Sequence, residues 1–230
     1  MLRNTVMPTC LAGFLVVVTG CSNLGLGEMD AVDIAREVTK YRKRGNELLK
    51  SIEDERRRDG GRHDPIHYVD DMKEASSYFG EAVALAEASA QPRQEFARSL
   101  QLIGNTYYLE YVKVRAEMAQ LTTASKPVPE TLVQRRNEAW ASTEEYLKLS
   151  NREYQYYVNY IHGRNPQPAI FNELRANFEI LQYWEDAAHV TRVFLSETRG
   201  ILKEEQESMF RKMLNVYDDK VSEGAEPDRP

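Results

Sequence analysis

The chain has few cysteines, which cross-link small proteins, and few prolines and glycines, which interrupt helices. Among its 230 residues are only 2 cysteines, 9 prolines and 12 glycines, and two cysteines exclude a disulfide scaffold. Basic residues are also in deficit, since 30 Lys and Arg stand against 36 Asp and Glu, a formal net charge of −6. This balance argues against a nucleic-acid binder, because phosphate contacts need a basic surface. The remaining composition, 42% hydrophobic and 29% charged, indicates a globular chain long enough for a buried core.

Motifs of catalysis are missing as well. The sequence contains no G-x-S-x-G elbow, no glycine-rich phosphate loop, no H-E-x-x-H and no paired-cysteine metal motif. Its carboxylates are scattered along charged segments and are not gathered with a positioned base or nucleophile. The sequence therefore predicts a protein that is not an enzyme and that needs no cofactor.

A long apolar run occurs at the N-terminus. Residues 1–20 carry a single charge, Arg3, and an apolar run over 11–18 that is followed by Thr19, Gly20 and Cys21. The run is much shorter than the ~20 residues of a membrane-spanning helix. A charged start, a short apolar stretch and small residues before a cleavage point are typical of a secretion signal, so we expect a signal peptide over 1–20.

The four residues Val18-Thr19-Gly20-Cys21 resemble the lipobox of bacterial lipoproteins. The resemblance implies that Cys21 receives a diacylglycerol on its thiol and an acyl chain on its new amino terminus, and that no other cofactor is bound. Because Ser22 and not Asp follows the cysteine, it implies an outer-membrane anchor facing the periplasm, with the outer face of the plasma membrane as the alternative. An ordinary signal peptide with a chance cysteine is the competing interpretation.

Beyond a flexible tether over 21–29, hydrophobic periodicity predicts an all-α fold over 30–221, with a disordered tail over 222–230. No segment alternates convincingly with the period of two that marks a strand. Apolar residues instead recur at steps of three and four, as in Leu100, Ile103, Tyr107, Tyr111, Val114, Met118 and Leu121. The predicted helices cover 30–57, 68–90, 93–122, 130–162, 169–182, 184–199 and 202–221, with Pro92 marking a turn and Pro129 preceding a helix start.

Two segments, 41–48 and 100–107, resemble the first helix of a tetratricopeptide repeat, with Gly45 and Gly104 at the small position that lets two helices of a hairpin approach closely. Residues 75–82 resemble the second helix. A third unit departs from the pattern, with Arg175 in the glycine place and Thr191 in the aromatic place. The units are also spaced further apart than the family's repeat of about 34 residues. We therefore expect antiparallel helical hairpins, either as a tetratricopeptide-like array or as an irregular bundle of long helices.

The same resemblance implies a binding surface. In the family, the first helices line a concave groove, and an asparagine after the glycine binds the backbone of an extended peptide; Asn46 and Asn105 occupy that place. Helical spacing puts further side chains on the same face, namely Arg42, Arg98, Gln101 and Tyr108. A tyrosine-rich stretch in the predicted fourth helix adds Tyr156 and Tyr160 as candidates, either buried between neighbouring helices or exposed to a partner.

His63 and His67, followed by Asp70 and Asp71, form the one metal-like cluster. Pro65 predicts a solvated loop there, so no metal site is predicted. The sequence as a whole favours a lipid-anchored envelope protein that acts as a non-catalytic scaffold for other envelope proteins or peptides, with no nucleic-acid partner. A lipoprotein that binds a small ligand or a metal at His63 and His67, and a structural spacer between envelope layers, remain as alternatives.

Overall fold

The computed structural model describes residues 30–60, 63–161 and 167–225, and in this part of the chain all regular structure is helical. The all-α prediction is therefore confirmed. Seven α-helices occur in the described ranges: α1 Ala31–Arg58, α2 Val69–Leu85, α3 Ala90–Thr123, α4 Glu130–Tyr156, α5 Pro168–Ile180, α6 Trp184–Glu197 and α7 Glu204–Ser222. A short 3-10 helix, Pro65–Tyr68, precedes α2, and a π-helical turn, Tyr157–Ile161, continues α4.

By its contacts the chain divides into two units, Met1–Arg36 and Glu37–Pro230. The described residues of the first unit form the start of α1. There the Asp30 carboxylate accepts hydrogen bonds of 2.8 Å from the backbone N–H groups of Val32 and Asp33, which caps the helix. The predicted signal peptide and tether lie outside the described residues.

The second unit is built by packing consecutive helices against one another. Contacts join α2 to α3, α3 to α4, α5 to α6 and α6 to α7, and the pair of long helices α3 and α4 shares the most extensive of them. The face predicted for α3 is its inner face, since Leu100, Ile103, Tyr111 and Val114 are buried. Burial of an apolar stripe at steps of three and four supplies the stability that a single helix in water lacks.

Two glycines in the first half of this unit pack against a side chain of another helix. A Cβ atom on Gly45 of α1 would lie 2.7 Å from Cζ of Phe79 on α2, and one on Gly104 of α3 would lie 2.6 Å from Cδ2 of Leu147 on α4. Real Cβ atoms do not come so near a neighbour. At Gly104 the backbone of α4 comes close, with the Leu147 nitrogen 3.2 Å from the Cβ position, and the expected reason for glycine is confirmed there. At Gly45 the neighbouring atoms all belong to the Phe79 ring, so this glycine makes room for a side chain.

The third hairpin, α5 with α6, uses a different contact. Arg175 occupies the place of the glycine, and its buried guanidinium donates hydrogen bonds to Glu179 Oε2 at 2.6 Å and to the Tyr217 hydroxyl at 2.7 Å. Thr191, in the place of the aromatic residue, is fully buried and donates to the carbonyl of Ala187. The long side chain thus connects α5 to α7 at the position where a glycine would have brought α5 and α6 together.

Two details differ from the sequence expectation. The connection between α2 and α3 lies at 86–89, and Pro92 belongs to the first turn of α3, where the missing N–H is tolerated because it would have no helical partner. Pro129 does precede a helix start, as expected. The predicted loop around His67 contains a turn of 3-10 helix, and the side chain of Asp64 caps it.

Candidate functional site

An uncharged stripe runs along the outer face of α3, opposite its buried face. It is defined here as the α3 stripe and consists of Leu102, Asn105, Leu109, Val112, Ala116 and Ala119. The steps between successive members are three or four residues, so all six lie on one side of the helix. Leu109 is 57% exposed, Val112 44% and Leu102 36%. Contiguous exposed apolar surface of this kind is typical of an interaction site.

The stripe stays uncovered because the neighbours of α3 occupy its other sides. On the α2 side, Ser99 Oγ donates to Ser76 Oγ at 3.0 Å. On the α4 side, Gly104 packs against Leu147, and the ring of Tyr111 lies 5.0 Å from that of Trp140. These contacts take up the two inner faces and leave the third face to solvent.

Asn105 lies within the stripe and is half-buried. Its Oδ1 is buried and has no hydrogen-bond partner among the described residues. An unsatisfied buried acceptor costs about 1–3 kcal/mol. The corresponding Asn46 on α1 is exposed, and its Nδ2 donates to the carbonyl of Arg42 at 2.9 Å, one turn back on the same helix.

Arg42 is engaged within the fold. Its Nε and a terminal nitrogen donate to the two carboxylate oxygens of Glu95 on α3, at 2.6 and 2.7 Å. The hydrogen bond to Glu95 raises the pKa of Arg42 above its ordinary value, against the opposing effect of burial. This bidentate pair connects α1 to the first turns of α3. The role of Arg42 in the structure is therefore to position α1.

Gln101 is also engaged, in a buried polar network between α3, α4 and α5. It accepts from the Tyr154 hydroxyl at 3.1 Å and donates to Asn177 Oδ1 at 2.8 Å. Asn177 in turn donates to Asn151 Oδ1 at 2.8 Å and to Ser150 Oγ at 3.2 Å. Because each of these groups has a partner, the network specifies how the three helices fit together.

Arg98 and Tyr108 lie beside the stripe. Arg98 is exposed. Burial and the charge of Glu173 raise the pKa of Tyr154, and the guanidinium of Arg98 opposes that rise. Tyr108 is half-buried and stacks on Tyr111 with ring centroids 6.2 Å apart. Of the candidates that the sequence proposed on α3, Arg98, Asn105 and Tyr108 border or enter the exposed surface.

The tyrosines of α4 divide between core and surface. Tyr154 and Tyr157 are fully buried. Tyr156 is half-buried under the guanidinium of Arg93, 3.8 Å from its ring centroid, and its ring lies 4.7 Å from that of Tyr160. Tyr160 is 68% exposed and sits in the π-helical turn. The interpretation of burial between helices therefore applies to Tyr154 and Tyr157, and the interpretation of exposure applies to Tyr160.

The His63 and His67 rings lie 6.0 Å apart, edge to face. His63 Nδ1 is 2.5 Å from Asp59 Oδ2, and Asp64 forms an ion pair with Lys113 on α3. The bond to Lys113 lowers the pKa of Asp64 below its ordinary value. In the described ranges, no group of three or more His, Cys, Asp and Glu side chains is placed to hold a metal ion. The segment is instead attached to α3 by Asp64.

Leu102, Leu109 and Val112 were not among the residues that the sequence singled out. A signal for them exists, because they share a helical face with Arg98 and Asn105. That face competes with a second and larger apolar face on the same helix, so periodicity alone does not decide which is covered.

Cys21, the expected lipid attachment point, lies outside the described residues. None of the described helices combines the length and the apolar character needed to cross a membrane. Comparisons of the chain with protein-family models, with curated proteins and with solved structures found no match.

Proposed function

We propose that this protein is a lipid-anchored envelope protein that serves as a non-catalytic scaffold, binding other envelope proteins or peptides through the α3 stripe. The observation that carries the proposal is the exposure of Leu102, Leu109 and Val112 along one helical face, which the exposed Arg98 borders. Exposed apolar side chains that share one helical face are typical of protein interaction sites.

The anchoring part of the proposal rests on Cys21 and its lipobox-like setting. Three acyl chains on this residue would hold the protein in a membrane leaflet, since each buried CH₂ contributes about 0.8 kcal/mol. Ser22 favours the outer membrane with the helical domain in the periplasm, and the outer face of the plasma membrane is the alternative.

The resemblance to tetratricopeptide repeats supports a peptide-binding role for Asn105. The close packing of Gly104 against Leu147 is in keeping with that role. In that family the asparagine after the glycine binds a peptide backbone. Here Oδ1 of Asn105 makes no hydrogen bond, so turning the amide outward towards a partner N–H sacrifices no bond of that oxygen.

Site-specific photo-crosslinking in native cells tests the scaffold role. A photoreactive residue at Leu109 or Asn105 is expected to capture a discrete protein partner. Gln155 on α4, an exposed polar residue, is the control position and is expected not to capture that partner. If neither α3 position yields a crosslinked protein, the stripe is not a binding surface and the proposal is wrong.

Lipid attachment is tested separately by metabolic labelling with a fatty acid. The wild-type chain is expected to incorporate the label and to sediment with membranes, and a Cys21→Ser variant is expected to do neither. Labelling that persists in the variant would place the anchor elsewhere.

A further inference from the structure

A basic face on α1 stands out against the acidic chain. Residues 40–50 contain five Lys and Arg but only one acidic residue, whereas the whole protein carries a formal charge of −6. Four of the five are exposed and are named here the α1 basic face: Lys40, Lys43, Arg44 and Lys50. Arg42, the fifth, is paired with Glu95.

Helix geometry collects three of these four side chains on one side, and Arg44 lies at its edge, over Tyr78 of α2. The buried side of α1 is marked by Val38, Gly45 and Ile52, which follow one another at seven-residue steps. Lys40, Lys43 and Lys50 lie on the opposite side at steps of three and seven, over about 15 Å at 1.5 Å per residue. The face therefore carries an excess of positive charge, although the exposed Glu47 lies on the same side between Lys43 and Lys50.

Carboxylates on the same helix neutralise this face only in part. Lys40 lies 2.9 Å from Glu37, and Lys43 lies 3.8 Å from Glu47, with the Lys43 side chain 73% exposed. Such exposed pairs are weak and are easily exchanged for another anion. Arg44 lies over the ring of Tyr78, at 5.9 Å from its centroid, and the excess of positive charge along 40–50 remains.

We propose that the α1 basic face binds the anionic phospholipid headgroups of a membrane surface. Ammonium and guanidinium groups recognise phosphate, and Lys or Arg clusters on a helix near a bilayer are attracted to acidic lipids. Nine residues, 22–30, separate Cys21 from the start of α1, and they span at most about 32 Å when extended. On the proposed function, an anchor at Cys21 would hold the face within reach of the bilayer, and the bound face would then orient the domain on it.

Vesicle binding tests the inference with the full chain. Partitioning of the protein is measured onto vesicles of phosphatidylcholine alone and onto vesicles that also contain phosphatidylglycerol. The ratio of the two partition coefficients isolates the electrostatic contribution to membrane binding. The test variant is Lys40→Gln, Lys43→Gln, Arg44→Gln and Lys50→Gln. The control has the same change of net charge at four other exposed positions: Lys126→Gln, Arg199→Gln, Arg211→Gln and Lys212→Gln.

The wild type and the control are expected to prefer phosphatidylglycerol vesicles, more weakly as salt rises. The α1 variant is expected to lose at least tenfold of that preference, because each basic residue near an anionic surface contributes up to about fivefold. A wild type without preference, or an α1 variant that retains it as the control does, would overturn the inference and direct attention to an acidic protein as the partner of this face.

Helix content by circular dichroism shows whether the variants fold. Should the fourfold variant not fold, the pair Lys43→Gln and Lys50→Gln, both exposed, is used and is expected to lose at least about threefold. If instead the proposed function is wrong, Cys21 carries no lipid label or Leu109 gives no crosslinks, and the preference for phosphatidylglycerol vesicles is unchanged.

Discussion

The guanidinium of Arg175 on α5 donates a hydrogen bond of 2.7 Å to the hydroxyl of Tyr217 on α7. Both side chains are buried, and the same guanidinium also binds Glu179. Two helices separated by α6 in the chain are thereby joined through a single charged group.

Removing this hydroxyl should weaken the C-terminal helices. We expect Tyr217→Phe to lower the free energy of unfolding by about 1–2 kcal/mol, because a buried charged donor loses an acceptor. Urea denaturation measures the change. Tyr160→Phe, at an exposed ring, is the control and should stay within about 0.5 kcal/mol of wild type. Equal stability of the two variants would contradict a contribution from the Arg175 bond.

Gly104 should not tolerate a methyl group. Gly104→Ala is expected to lower the free energy of unfolding by about 1–3 kcal/mol, because its Cβ would overlap Leu147 and approach the Leu147 backbone nitrogen to 3.2 Å. Gly80→Ala on α2 is the matched control. There the new Cβ would meet Phe96 at an ordinary 3.5 Å, and the better helix propensity of alanine should raise stability by up to about 1 kcal/mol. Thermal unfolding distinguishes the two signs.

Stability should fall in alkaline solution through Tyr154. Burial, with a smaller effect of the Glu173 charge, raises the pKa of Tyr154 well above its ordinary value of 10. Above about pH 10 the unfolded chain loses this proton and the folded chain keeps it, so the free energy of unfolding decreases as pH rises, by up to about 1.4 kcal/mol per pH unit.

The Tyr154→Phe variant isolates this contribution. It should be less stable than wild type by about 1–2 kcal/mol at neutral pH, because Gln101 loses its donor. Its stability should then fall less steeply above pH 10. Denaturant unfolding at several pH values measures both slopes, and identical slopes would show that Tyr154 titrates alike in the two states.

Polar substitutions on the α3 stripe should separate binding from folding. Leu109→Ser with Val112→Ser is expected to leave the free energy of unfolding within about 1 kcal/mol of wild type, since both side chains are largely exposed. Capture of a partner from a crosslinker at Asn105 should nevertheless be lost. The control Val216→Ser should keep it, and persistence of capture in the α3 variant would argue against apolar binding along this face.

The fold could be predicted from residues whose signals are local. Leu100, Ile103 and Tyr111 identify a buried helical face by their spacing. Gly104 occupies the small position of a hairpin pattern, and the structure packs it against Leu147. Both signals depend only on the helix itself and one neighbour.

The candidate site could be predicted less well, because it depends on contacts across the chain. Gln101 appeared to be a surface residue, yet Tyr154 and Asn177 from two later helices bury it. The exposed face of Leu102 and Leu109 looks the same in sequence as a covered one, since the number of neighbours around α3 is a tertiary property. Arg175 shows the same effect, as its partner Tyr217 lies on α7.

Asn105 carries a consequence for selectivity. Its Oδ1 atom accepts no hydrogen bond from the described residues of the unbound protein. A ligand that donates an N–H to the rotated amide therefore gains a hydrogen bond without breaking one made by that oxygen. A ligand of equal apolar area that lacks such a donor gains only apolar contact. One neutral hydrogen bond contributes about 0.5–1.5 kcal/mol. Among ligands of similar apolar area, this single amide would therefore favour binding of those that carry a suitably placed N–H donor.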